Sequence, residues 1–250
     1  MKFEIYAPSY KRPSGTFTEK YLPACTYVVA KSEAKAYEKH GNRVWAVPDS
    51  AQGNLCRIRN YILDNTDARA ILLLDDDLQR LQRWNQQKAH RLNTDEAMEF
   101  IEQGFNFAMQ LGVKFWGINC LPDKGAYREY TPFSLTNYIG GPFQAFIDCP
   151  LRYDEALPLK EDYDMTLQIC NKYRKALRLN MYNYVAHQHT NVGGCAAYRT
   201  MDRERSQFAA LQEKWGSDIV RVDNQGGQVN QKKRTNWDIN PVVRVPIHGV

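Results

Sequence analysis

The chain has 250 residues, with 33 Lys plus Arg against 28 Asp plus Glu for a net charge of +5, and 43% of its residues are hydrophobic and 12% aromatic. Such a chain has ample apolar material for a core, which excludes disorder over most of its length and suits one large α/β domain or two small ones. Its longest aliphatic run, Ala70–Leu74, is five residues, far short of the roughly 18 to 20 that a membrane span requires.

In chain order, short apolar strands are expected at residues 2–7, Thr26–Ala30, 43–47 and Ala70–Leu74. Continuous apolar runs alternating with helical or polar segments imply a largely parallel sheet buried on both faces. Leu55, Ile58 and Ile62 place a helix in 52–65. A clearer helix follows: Asn93 or Thr94 caps it, Asp95 and Glu96 sit in its first turn, Met98, Ile101, Phe105 and Ala108 repeat at helical spacing, and Gly112 ends it. A strand at 113–118 leads into a polar, aromatic stretch, 119–142, that reads as a long loop or irregular hairpin, and loops of this length are usually functional or mobile; it holds Tyr127, Tyr130, Phe133, Tyr138 and the pair Gly140 and Gly141. A strand at 143–147, a helix at 161–176, a strand at 181–186 and a helix at 202–215 complete one α/β domain over residues 1–219. Residues 220–250 form a basic extension, with five basic residues against two acidic ones, expected to pack on or near the active site. Its charge invites a polyanion.

The six cysteines are scattered singly with no CxxC pair, so reduced, mostly buried thiols are expected and a zinc knuckle is not. The start MKFEIYAPSY lacks the zones of a signal peptide, which points to the cytoplasm.

Four segments carry candidate chemistry. In ILLLDDDL, Asp75, Asp76 and Asp77 follow an apolar strand, and ligands of open α/β sheets bind outside the carboxyl ends of strands. Asp75 and Asp77 suit a hard divalent cation held through oxygen; solvated acids at a helix start are the plainer alternative. Three adjacent anions also require positive charge nearby. In LPLKEDYDMTLQ, Glu161 and Asp162 open a helix, where a carboxylate can accept a hydroxyl proton, although acids favour first turns whatever the function. In AHQHTNVGG, His187 or His189 offers an imidazole ligand. Finally APSYKRP, with Pro8, Ser9, Tyr10 and Arg12, ends the first strand, and Asn54, Arg57, Arg59 and Asn60 follow the third. Arg12, Arg57 or Arg59 can meet a phosphate with forked donors.

Together these segments resemble a glycosyltransferase of the GT-A fold, a Rossmann-type mixed, mostly parallel sheet flanked by helices. The chain is most similar to the TET-associated glycosyltransferases of phages and their relatives, on IYAPSYKRP, RIRNYIL directly before LLLDDDL, and VAHQHTNVGG. It departs from family-2 enzymes in VVAKSEAKAY, where Glu33 stands in for their acidic nucleotide-base contact. The resemblance implies a metal-dependent enzyme using Mn2+ or Mg2+ held by Asp75, Asp77 and His187 or His189. The donor, a nucleotide-diphosphate sugar and in particular a UDP-sugar, would contact Pro8, Ser9, Tyr10, Arg12, Asn54, Arg57, Asp75 and Asp76. Asp162, with Glu161 the alternative, would be the base of an inverting transfer. The implied acceptor is the hydroxyl of a hydroxymethylated pyrimidine in DNA, such as 5-hydroxymethylcytosine, in a host cytoplasm if the chain is phage-encoded. Tyr127, Tyr130 and Tyr138 would stack the flipped base, and Lys232, Lys233 and Arg234, with the basic segment Arg80 to Arg91, would meet phosphates. The alternatives are a polysaccharide or protein acceptor, a metal-dependent nuclease or phosphotransferase, and a non-catalytic sugar-nucleotide-binding relative.

Overall fold

The apolar runs of the first half form the middle of one large sheet. The computed structural model describes residues 2–85, 88–123, 127–186, 198–222 and 241–245. Its first half supplies β1 (Glu4–Pro8), α1 (Thr18–Tyr21), β2 (Thr26–Ala30), α2 (Lys31–Glu38), β3 (Val44–Val47), α3 (Leu55–Asn65) and β4 (Ala70–Leu74). The second adds β5 (Leu78–Asn85), β6 (Lys88–Arg91), α4 (Thr94–Gln110), β7 (Phe115–Asn119), β8 (Phe133–Ser134), β9 (Phe143–Ile147), α5 (Glu161–Tyr173), β10 (Leu177–Ala186) and α6 (Met201–Trp215). Two short strands, β11 (Val220–Val222) and β12 (Pro241–Val243), pair with each other.

Strand order in the main sheet is β3-β2-β1-β4-β9-β7-β10-β5-β6, with β8 added on β10. All ten strands except β5, β8 and β9 point one way, so the sheet is mixed but mostly parallel in direction. β4, β7 and β9 are buried at every position, which is why their sequences are continuous rather than alternating. One face packs on α4, whose Phe100 and Phe105 meet the Trp116 ring edge-on at centroid distances of 6.1 and 5.2 Å. The other packs on α3 and α5 through Ile58, Ile62, Met165 and Ile169. Each such side chain withdrawn from water contributes about 1.5–3 kcal/mol.

Helix ends follow local chemistry. Asn93 and Glu96 form a reciprocal capping box on α4, and the Asn54 side chain caps α3 by accepting from the Cys56 and Arg57 N–H groups. α5 stops at Tyr173, before the expected 176, because Arg174 adopts a left-handed conformation with φ of 63°. β10 consequently starts at Leu177 rather than 181, pairing with β7 and β8.

The largest departure from the sequence expectation is the hairpin β5–β6. The basic segment that follows the acidic triplet is two strands, with Leu78, Leu81 and Trp84 buried and β5 paired to β10. The described part of the C-terminal extension also belongs to the body: Val220, Val243 and Val245 pack with Leu157, Leu167 and Leu211 against α5 and α6. The five described cysteines, Cys25, Cys56, Cys120, Cys149 and Cys170, are free thiols, and Cys195 lies outside the described residues. No described helix is long and apolar enough to cross a membrane.

The sheet order sets the site. β2 lies on one side of β1 and β4 on the other, so the crevice beyond the carboxyl ends of β1 and β4 is a topological switch point.

Candidate active site

The Ser9–Arg12 turn after β1 and the Asp75–Asp77 turn after β4 meet at that switch point. Asp76 is fully buried; its Oδ2 accepts from Arg12 Nε at 2.8 Å and from the Ser9 hydroxyl. Ser9 Oγ is also 2.7 Å from the Tyr37 hydroxyl. Burial raises Asp76 to about 6 even with Arg12 and Ser9 pulling it down. Expected among the donor contacts, Asp76 instead holds the two turns together from beneath, because no part of it reaches the crevice. Pro8 and Ser9 are likewise buried supports. Lys11, between them and Arg12, takes a φ of 54° and donates its N–H to Glu33 at 2.8 Å. Glu33 therefore stands at the rim of the β1 turn. Tyr10 is partly exposed beside it, with Lys11 Nζ over its ring.

Asp75 and Asp77 flank this anchor. Asp75 keeps a side chain 32% exposed and accepts from Arg59 Nη2 at 3.1 Å. Asp77 is nearly buried, and its closest cation is Arg12 Nη1 at 3.9 Å. Its Oδ1, like that of Asp76, is buried and has no hydrogen-bond partner among the described residues. Burial, then Asp75 and Asp76, push Asp77 above the usual carboxylate range, against Arg12. The positive charge that three adjacent anions require is thus partly supplied by two arginines, and Asp77 is the carboxylate left short of it. An all-oxygen donor set with an unsatisfied buried oxygen fits a hard divalent cation. Among the described residues no group of three or more His, Cys, Asp or Glu side chains is placed to hold one; His187 and His189 lie outside the described residues.

Arg59 joins this end of the crevice to α5. It is completely buried on the inner face of α3, donating to Asp75 Oδ1, to Glu161 Oε1 at 3.1 Å and to the Gly141 carbonyl at 3.0 Å, with its guanidinium 5.4 Å from the Tyr153 ring centre. Burial alone would lower its pKa, but Tyr153, Glu161, Asp75 and Asp162 outweigh that and raise it. Glu161, only 7% exposed, is pushed up by burial and by Asp162 and pulled back by Arg59.

Asp162 is different. It is partly exposed, and its Oδ2 accepts from the Gly141 N–H at 3.0 Å and from the Tyr138 hydroxyl. Two glycines permit this approach: a Cβ on Gly141 would lie 3.3 Å from Glu161 Oε1, and one on Gly140 would lie 2.7 Å from Cys120 Sγ. The ring of Tyr138 stacks on Tyr163 at 4.2 Å, so Tyr138, expected to stack the acceptor base, is committed to orienting Asp162. Tyr127, given the same expectation, is 9% exposed and has almost no free ring surface; Tyr130 is 82% exposed.

Arg57 faces away from the cluster, half-exposed and paired with Glu155 at 3.1 Å, and the Asn54 side chain is spent on the α3 cap and the Glu155 carbonyl. Neither joins the other expected donor contacts, because both sit at the outer start of α3. Lys232, Lys233 and Arg234 lie outside the described residues. Sequence reasoning missed a second buried ion cluster beneath α5: Lys160 Nζ, 1% exposed, lies 2.5 Å from Glu204 of α6, which also meets Arg199 at 2.9 Å. The one local signal for Arg59 was its place in the apolar stripe Cys56, Arg59, Ile62 and Leu63 of α3.

A family model described as TET-Associated Glycosyltransferase matches residues 3–194. No curated protein sequence matches. Among solved structures, glucosyl-3-phosphoglycerate synthase from Mycobacterium tuberculosis, in complex with Mn2+, UDP-glucose and phosphoglyceric acid, aligns with a TM-score of 0.52 at 9% identity, covering 98% of this chain and 89% of that one. The same enzyme with Mg2+ and UDP aligns at 0.50 and 9% identity over 90% and 84%. Staphylococcus aureus TarS 1-349 aligns at 0.48 with 14% identity over 73% of this chain, which spans 60% of that chain. At these identities the structural likeness shows a GT-A fold.

Proposed function

Because the chain belongs to the TET-associated glycosyltransferase family, we propose that it moves a sugar from a UDP-sugar to the hydroxyl of a hydroxymethylated pyrimidine in DNA, inverting the anomeric carbon. The observation that carries this reading is the pairing of two carboxylate stations across one crevice. The Asp75–Asp77 turn stands at the end of β4, Asp162 stands at the start of α5, and Arg59 bonds both ends. One structure that aligns at a TM-score of 0.52 is an enzyme crystallised with UDP-glucose and Mn2+, which supports the choice of donor class.

In this reading Arg12, braced by Asp76, sets the β1 turn against the diphosphate. A divalent cation held by Asp75, Asp77 and His187 or His189 would offset the charge growing on the departing diphosphate. Asp162 takes the proton as the acceptor oxygen loses its O–H bond and forms the new bond to the anomeric carbon; the diphosphate leaves with the old bonding pair. Glu161 does not fill that role, since it is buried and tied to Arg59. Tyr138 and the Gly141 N–H hold Asp162 Oδ2 in place, which limits the reorganisation the transfer requires. A base inside a duplex must be flipped out to reach this carboxylate, and Tyr130 has an open ring to stack it. Lys232, Lys233 and Arg234 add phosphate contacts.

The test is a panel of sugar nucleotides with Mn2+, offered to plain and to hydroxymethylated DNA and read by nucleoside mass spectrometry. A hexose-sized mass gain on hydroxymethylated nucleosides alone is expected. Transfer to plain DNA, or no transfer to either DNA while a protein or polysaccharide acceptor is modified, overturns the acceptor assignment.

A further inference from the structure

Beside the catalytic crevice, α1 and the β5–β6 hairpin enclose an open pocket of about 280 Å³ lined by Phe17, Lys20, Tyr21, Gln79, Arg80 and Arg91. Three of its six side chains are cations and none is an acid. Among the described residues none of the three forms an ion pair, and several nearby acids have other partners. Glu19 takes the Tyr27 hydroxyl, Glu96 bonds His90 and the Asn93 N–H, and Asp75 and Asp76 hold Arg59 and Arg12. Cations gathered around one concavity repel each other unless an anion occupies it.

The pocket is built on fixed elements. The Tyr21 hydroxyl donates to the Leu92 carbonyl at 2.9 Å, and Thr94 Oγ1 donates to the Tyr21 carbonyl at 2.9 Å. Thr18 Oγ1 accepts from the Leu78 N–H at 3.1 Å and donates to the Asp75 carbonyl. α1 is therefore bolted to both ends of the hairpin and to the acidic turn itself, whose Asp76 carbonyl also accepts from the Phe17 and Thr18 N–H groups. Lys20 Nζ rests 4.9 Å from the Phe17 ring centre. Arg80 follows Asp77 by only three residues, so the cationic pocket adjoins the acidic turn on one side of the crevice.

We infer that this pocket binds the phosphodiester backbone of the acceptor strand next to the reacting nucleotide. The inference rests on the DNA reading above and adds to it where the strand lies. Three cations on one concavity without an acid among them suit phosphate oxygens, and such contacts position a nucleic acid without reading its sequence.

The experiment measures anisotropy of a short fluorescein-labelled hydroxymethylated duplex over a salt series, for the parent and for the K20Q/R80Q/R91Q variant. Each phosphate contact contributes a log-log slope of about 0.9 on duplex DNA, so the variant should lose about 2.7 from the parent's slope and bind every sequence more weakly to the same degree. R80K/R91K should keep the parent's slope, which a purely structural role for the arginines would not predict, and R91Q alone should lose about 0.9. If the parent binds and glycosylates the duplex while the triple variant keeps its slope and affinity, the pocket assignment is overturned and the DNA reading stands. If the parent neither binds nor modifies the duplex, the DNA reading itself fails. Loss of UDP affinity with an unchanged DNA slope would assign the pocket to the donor and overturn the inference.

Discussion

Removing Arg59 would leave a buried acid without its partner. This arginine is wholly buried and donates to Glu161, Asp75 and the Gly141 carbonyl. Asp75 is partly exposed and water can replace its partner, so little of the cost falls there. Glu161 is buried and would be left without its counter-charge, and breaking such a pair from one side costs about 3–5 kcal/mol. Arg59→Met should therefore lower unfolding free energy in urea by about that much above about pH 9, where the parent's Glu161 is ionised against Arg59. The sign of the pH dependence follows from Glu161. Without Arg59 its folded pKa rises further above its unfolded value of about 4.3. A group raised on folding contributes stability below the unfolded pKa and loses it as pH rises through the folded one. Glu161 sits at about 8 with Arg59 in place, so the deficit of Arg59→Met should be smallest at acidic pH and widen as pH rises through about 8. Adding Glu161→Gln should recover much of the loss, since the buried charge is then gone. A loss under about 1 kcal/mol above about pH 9, well below the cost of an orphaned buried charge, would refute the reasoning. So would a deficit that does not change with pH, or a double variant no more stable than the single one.

Four further outcomes follow from the same geometry. Asp162→Asn should keep UDP binding by calorimetry yet lose turnover by several orders of magnitude, whereas an equal loss of donor affinity would make it a binding residue. Asp77→Asn removes a crowded, buried carboxylate with an unpartnered oxygen, so thermal melts should show a fold at least as stable as the parent's while Mn2+-dependent UDP binding and transfer disappear; full activity would take Asp77 out of the site. Tyr138→Phe deletes one hydrogen bond to a carboxylate, worth about 1.5–3 kcal/mol, and should cut kcat by about 10- to 100-fold with donor KM unchanged; a rise in acceptor KM alone would return Tyr138 to base stacking. Changing Lys232, Lys233 and Arg234 together to Ala should reduce the salt slope of DNA binding by about two to three, and an unchanged slope would show that the extension does not touch phosphate.

What the sequence made legible, and what it did not, divides along the range of the interactions. β2 and β4 stand where their apolar runs place them, because burial on both faces leaves a local signature. The acidic triplet was visible as chemistry because it breaks such a run. The β5–β6 hairpin was not visible: its buried residues, Leu78, Leu81 and Trp84, recur every three positions among arginines and glutamines, a spacing unlike the alternation of a half-buried strand. Only pairing with β10, about a hundred residues later and interrupted by a register shift at Val185 and Ala186, makes it a strand. The same holds inside the site. Arg12 meets Asp76 across 64 residues, Arg59 meets Glu161 across 102, and Tyr138 meets Asp162 across 24. Each residue announces only the element it sits on, so a carboxylate that braces a turn and one that faces the crevice look alike in sequence. Asp76 and Asp77 are adjacent and each keeps one buried oxygen without a hydrogen-bond partner among the described residues, yet Asp76 is bonded by Ser9 and Arg12 while Asp77 has Arg12 only at 3.9 Å. That difference arises because β1 and β4 are neighbours in the sheet, bringing the Ser9–Arg12 turn against one side of the triplet only.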